Sequence, residues 1–172
     1  MQSKRTPSSV IALGGVLAAL AVVLMAMGTL IPVATYACPV LCCMLLQVVL
    51  FHCGRRIAWA WYGAVSILCV LLAPDKEAAA VFVFIGYYPI IKPRLDKTRL
   101  SKLWKGLLFN AVILTMYMLL IKLFGMEQIA AEYRGMGLAM TVVTLVLGNA
   151  VFFMLDRLLT GMIRKYNNPG RK

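Results

Sequence analysis

KPRLDKTRLSKLWK, residues 92–105, is the stretch on which the fold of this chain turns. It holds six Lys and Arg residues against the single acid Asp96, and apolar segments flank it on both sides, at about 74–91 and 106–124. A helix crosses a bilayer with roughly 17 to 25 apolar residues, because each residue advances only about 1.5 Å. A cation-rich link between two such segments belongs on the cytoplasmic side, where Lys and Arg near helix ends are retained.

Working outward, the same reading applies to the whole chain. Fifteen of the eighteen Lys and Arg residues fall in four clusters: Lys4/Arg5, Arg55/Arg56, the stretch from Lys92 to Lys105, and Arg157, Arg164, Lys165, Arg171 and Lys172. These clusters occupy every second boundary between apolar segments. The boundaries between them carry only Lys76 and Arg134, and Lys122 lies inside a segment. Six apolar segments result, at about 10–32, 36–53, 57–73, 74–91, 106–124 and 135–155. The expected fold is all-α: one membrane domain over residues 1–172, an integral bundle of six transmembrane helices with both termini inside and 92–105 as a cytoplasmic loop. The fourth segment reaches full length only if Pro74, Asp75, Lys76 and Glu77 form its first turn. Proline and acids are favoured at that end of a helix, and a re-entrant hairpin is the alternative.

Composition agrees. A chain that is 62% hydrophobic and 14% charged, with mean hydropathy +0.86, has lipid as its solvent. A pI near 9.8 ordinarily suggests nucleic acid. Here the excess is one-sided: the basic boundaries sum to +13 and the outer ones to −2. The expected partner of that charge is anionic lipid at the inner leaflet, at about 1 kcal/mol per cation, and not nucleic acid.

Motifs exclude more than they assign. The apolar stretch of the first segment exceeds the roughly 7 to 15 residues of a secretory signal, so it reads as retained. Five cysteines, Cys38, Cys42, Cys43, Cys53 and Cys69, show no C-x-x-C pair and suggest no disulfide framework. Cys53 beside His52 is far short of a tetrahedral metal set. There is no G-x-x-x-x-G-K-[ST] loop or H-E-x-x-H helix, and Ser66 has no obvious base, so neither nucleotide hydrolysis nor other catalysis is expected.

Helix faces say more. Gly14, Ala18, Ala21, Met25 and Gly28 form a stripe that Gly15 and Ala19 widen. Small residues let another backbone approach closely, and in lipid such packing is a main source of helix affinity. The stripe serves either its own bundle or a partner. In the sixth segment Gly137, Thr141, Thr144 and Gly148 share a face beside Asn149. An amide in hydrocarbon is costly unless bonded, so Asn149 either bonds a neighbouring helix or meets a ligand. Asn110 poses the same choice nearer the cytoplasmic end; Lys122 either snorkels outward or pairs with an anionic solute. Trp59, Trp61, Tyr87, Tyr88, Trp104 and Tyr166 read as an inner aromatic belt. Leu95, Leu100, Leu103 and Trp104 suit a short helix lying on the inner leaflet.

Six short helices in under 200 residues, inside termini, a small stripe on the first helix, a Pro-containing outer link from Ile31 to Tyr36 and a basic inner loop together resemble the substrate-binding S component of energy-coupling factor transporters. The likeness covers nearly the whole chain and rests on architecture. In that family the stripe, typically Ala-x-x-x-Ala, docks on a transmembrane coupling protein. Here it reads Gly14-x-x-x-Ala18 and Gly15-x-x-x-Ala19, which keeps the smallness and departs from the pattern. The resemblance implies capture of an organic, vitamin-like solute from outside at the first outer loop and the outer halves of later helices. Tyr36, Tyr117, Thr141, Thr144 and Asn149 are then the solute contacts. It implies a coupling subunit and cytoplasmic ATPases as partners, and a bacterial plasma membrane as the location. No cofactor is expected, and the N-terminal ligand cluster of cobalt or nickel types is missing. A membrane scaffold without ligand, or an autonomous small transporter, stays open.

Overall fold

The structure, a computed structural model, describes residues 7–27, 34–97, 101–124 and 138–167. Apart from short turns these residues are helical, and no strand occurs among them. The helices are α1 (Pro7–Met27), α2 (Ala34–Cys53), α3 (Arg55–Leu72), α4 (Lys76–Ile85), α5 (Tyr88–Leu95), α6 (Ser101–Phe124) and α7 (Leu138–Asn167). Among the described residues, Ser8–Met27, Arg55–Leu72, Lys76–Leu95 and Val146–Asn167 are long and apolar enough to cross a membrane, and Ala37–Cys53 and Leu103–Met116 are shorter apolar helices.

The chain divides into two compact units, Met1–Lys97 and Thr98–Lys172. In the first, α1 to α5 pack around a core of Ala21 and Met25 from α1, Cys42, Leu46 and Val49 from α2, Trp61, Val65 and Cys69 from α3, and Phe82 from α4. The spacing of three and four along each helix puts these side chains on one face. Between α2 and α3 the chain reverses at Gly54, whose φ of 83° lies in the region that only glycine enters without strain. That tight link leaves no room for a loop and sets α3 beside α2.

The start of α4 follows from cap chemistry. Asp75 is the N-cap, and its Oδ1 accepts hydrogen bonds from the backbone N–H groups of Glu77 at 2.9 Å and Ala78 at 3.0 Å. These satisfy two of the four donors that every helix start leaves unpaired. The fourth segment is nevertheless not one helix. It breaks at Gly86–Tyr87, ten residues after its start, and resumes as α5. Proline explains part of this: Pro89 has no N–H to offer the carbonyl of Ile85, and Pro93 none for that of Pro89.

Two boundaries differ from the expected ones. The stretch 92–105 is helical at both ends, since α5 runs to Leu95 and α6 begins at Ser101, so Leu103 and Trp104 lie in the first turns of α6. The segment expected to stop near 155 continues to Asn167. Nothing in residues 156–167 breaks a helix: there is no proline, and the one glycine, Gly161, costs only about 1 kcal/mol.

The second unit is the pair α6 and α7. Three layers join them. Lys105 Nζ donates to Asp156 Oδ1 at 3.1 Å, the rings of Phe109 and Phe152 stack at 4.6 Å, and Asn110 meets Asn149. As the α6 number rises the α7 number falls, so the helices run antiparallel.

Candidate functional site

The small stripe on α1 divides. Gly14 is buried, Ala21 and Met25 are fully buried, and Ala18 packs against the core. Gly15 and Ala19 are exposed. The inward half contributes more than smallness, because the carbonyl of Gly14 accepts a hydrogen bond from Trp61 Nε1 at 3.0 Å. Lower on the same helix the carbonyl of Ala21 receives the Cys42 thiol at 3.6 Å. Trp61, 6% exposed, and Tyr88, 1% exposed, therefore sit inside the first unit and not in an interfacial belt. Trp59, Trp104 and Tyr166 are exposed.

Of the solute contacts implied by resemblance, Tyr36 lies in the first turn of α2, Tyr117 in α6, and Thr141 and Thr144 in α7; their side chains lie outside the described residues. So do Lys122's side chain and the whole of Gly28 and Gly137. Asn149 is described. Its Nδ2 donates to Asn110 Oδ1 at 3.0 Å, and Asn110 Nδ2 returns a longer bond of 3.4 Å to Asn149 Oδ1 while also donating to the Gly106 carbonyl at 2.9 Å. Each amide thus offers the other both a donor and an acceptor, an arrangement that lets an amide reside in an apolar layer.

The break in the fourth segment carries an aromatic cluster. Tyr62, on α3, donates its hydroxyl to the carbonyl of Val83. Its ring lies 5.9 Å from that of Trp59, 6.0 Å from Phe82 and 6.3 Å from Tyr87, edge-on or tilted in each case. At Gly86 a Cβ atom would press on the Phe82 carbonyl and come within 2.9 Å of its ring, so the turn closes tightly over Phe82. Just beyond, Lys92 is buried in α5, with Nζ 3.4 Å from Asp96 Oδ2 and 6.0 Å from the centre of the Tyr88 ring.

One residue that the sequence reading passed over stands out. Gln47, on α2, is 1% exposed, and its Oε1 is buried without a hydrogen-bond partner. The signal was available, since an amide in an apolar segment poses the question asked of Asn110 and Asn149. Its depth follows from the Gly54 turn. Gln47 precedes that turn by seven residues and Tyr62 follows it by eight, so with α3 folded back beside α2 the two lie at about the same level, that of the α4 break. No group of three or more His, Cys, Asp or Glu residues that could hold a metal ion occurs among the described residues. Comparison with protein-family models, with curated proteins and with solved structures returned no match.

Proposed function

We propose that this chain is a six-span membrane protein with both termini inside, a solute-binding subunit of the energy-coupling-factor type that captures a small organic nutrient from outside a bacterial cell. The observation that carries the solute reading is the Oε1 of Gln47. In a bilayer-embedded core an unpartnered amide oxygen costs about 1 to 3 kcal/mol, and a donor on a bound solute offsets that cost. The aromatic cluster around Tyr62 supplies flat apolar surface at the same level. Tyr36, in the same unit as Gln47, remains a solute contact within this reading, and Tyr117, Thr141 and Thr144 remain so only as the resemblance implies. The exposed Gly15 and Ala19 are the positions at which the coupling subunit docks, and cytoplasmic ATPases supply the energy that this chain does not.

The test is native mass spectrometry of the full chain purified in mild detergent, wild type beside Gln47→Met. The wild type is expected to retain a small organic molecule and the variant to lose it, because Met matches the shape of Gln and offers no acceptor comparable to its amide oxygen. A wild type that retains nothing, or a variant that retains the same mass, defeats the reading. A second reading, a membrane scaffold without ligand, draws on the mutual bonding of Asn110 and Asn149, which turns one implied solute contact into a helix clasp. It predicts copurifying membrane proteins with no retained small molecule.

A further inference from the structure

Gln47 is not alone among the polar groups enclosed in the first unit. Ser66, on α3, is 8% exposed, and its Oγ is buried without a hydrogen-bond partner. A serine inside a helix has the carbonyl one turn back within reach of its hydroxyl. Ser66 does not make that bond. Among the described residues, the Oε1 of Gln47 and the Oγ of Ser66 are the buried side-chain oxygens left without a partner.

The fold brings them close in depth. Gln47 precedes the Gly54 turn by seven residues and Ser66 follows it by twelve. With α3 folded back beside α2, their levels differ by five residues, about 7.5 Å at 1.5 Å per residue. Ser66 also lies one turn from Tyr62 on the same face of α3, and Tyr62 donates to the Val83 carbonyl of α4. The two oxygens therefore stand on neighbouring helices that both pack against α4. With a hydrogen bond of about 2.9 Å to each oxygen, a single ring with polar groups at two edges spans them.

The surroundings fix the charge of what bonds there. Residues 7–27, 34–53, 57–72 and 78–91 hold no Asp, Glu, Lys or Arg. Of the charges beyond them, Lys92 is answered by Asp96 at 3.4 Å and Asp75 is spent on the cap of α4. An ion enclosed at this depth has no countercharge, and burying it so is very costly. An amide oxygen only accepts, whereas a hydroxyl both donates and accepts. The occupant must donate to Gln47 and can do either at Ser66. Water meets those demands as well, but it makes no use of the rings of Tyr62, Phe82 and Tyr87 gathered at the level of Gln47, which offer a flat molecule its contact surface.

We propose that the solute is an uncharged single-ring heterocycle that donates an N–H to Gln47 Oε1 and bonds Ser66 Oγ through a second polar group. The proposal rests on the solute-binding reading and narrows it to a class. It adds Ser66, which lies outside the contacts that the resemblance implies.

The experiment is equilibrium dialysis of the full-length chain in mild detergent against radiolabelled uracil, nicotinamide, orotate, nicotinate or 1-methylnicotinamide. The first two are uncharged rings with N–H donors, the next two add a carboxylate, and the last carries a fixed cation. Uracil is expected to bind roughly tenfold or more tightly than orotate, or nicotinamide than nicotinate and 1-methylnicotinamide, because the charged forms lack a countercharge. Ser66→Ala weakens the uncharged ring about fivefold, the worth of one hydrogen bond, with a melting temperature no lower than that of wild type. Should that variant fail to fold, the charge series on the wild type decides. Binding of none of the five leaves the two oxygens to water and overturns the proposal. Charged rings that bind as well as uncharged ones overturn it too, as does a folded Ser66→Ala that binds like the wild type. In native mass spectrometry of the wild type, a retained molecule that bears a net charge overturns this proposal and leaves the solute reading standing. A wild type that retains no molecule brings down the solute reading itself.

Discussion

Asn149 and Asn110 each complete the other, so their energetics should be non-additive. Replacing Asn149 with Leu takes the donor from Asn110 Oδ1 while Nδ2 keeps the Gly106 carbonyl, and the expected loss is about 1 kcal/mol, within the range of interhelical bonds measured in membranes. Replacing both removes the stranded group as well as the bond. Thermal unfolding in detergent should therefore show the double variant at least as stable as Asn149→Leu alone, and a double variant whose losses simply add would show that the two amides act independently. Lys105 poses the same question at higher charge. Its side chain is 5% exposed and that of its partner Asp156 is 19% exposed, so the pair is largely out of water. Lys105→Met removes the ammonium that Asp156 meets at 3.1 Å, at a cost of about 3 kcal/mol, the low end of the range because Asp156 is partly exposed, and Lys105→Met with Asp156→Leu recovers most of that, because apolar replacement of a whole buried pair is near neutral. Equal destabilisation of the single and double variants would contradict this account. Both asparagines could be picked out in the sequence as polar groups in apolar segments. Their pairing could not, because it depends on the register of two helices 39 residues apart.

At the scale of the element, the fourth segment shows what local chemistry reveals and what it hides. The start was legible because Asp75 caps a helix with atoms two and three residues away. The break at Gly86 was not, although Gly86 and Pro89 were both in view, since glycine and proline are tolerated inside membrane helices, where neighbouring groups satisfy the freed backbone. What fixes the turn here is in part distant: the hydroxyl of Tyr62, 21 residues away, on the Val83 carbonyl, added to the local ring of Phe82 beneath Gly86. Gly86→Ala forces that ring or the backbone to shift and should lower stability by about 1 to 3 kcal/mol. A melting temperature unchanged from wild type would show the turn to be looser than its contacts imply. The far end of α7 teaches a related lesson. Residues 156–167 are polar enough to read as a tail, yet Leu155 and Leu159 are buried four residues apart and the helix simply continues.

For the whole molecule, the distribution of cations and the apolar segments made an all-helical chain with helices fit for a membrane legible before any coordinates. The division of the α1 stripe was not. Positions 14 and 15 differ by only about 100° around the axis, and which of them turns inward is decided by Trp61, 47 residues away, reaching the Gly14 carbonyl. The outcome sharpens the partner test. Gly15→Leu meets nothing within 4 Å at its Cβ, and Ala19 is exposed, so bulky substitutions there leave the fold intact. Gly15→Leu with Ala19→Leu should keep the wild-type melting temperature and, if the proposed coupling subunit docks here, lose at least tenfold in copurified partner. Undiminished copurification would remove this face from the interface.

Four of the five thiols, those of Cys38, Cys42, Cys43 and Cys69, are buried, and only Cys53 is partly reachable. Maleimide reagents therefore meet a nearly silent background in the native chain. With Cys53→Ser as the sole preparatory change, one cysteine introduced at a time reports which compartment each helix end faces, with no need to strip the interior of sulfur first.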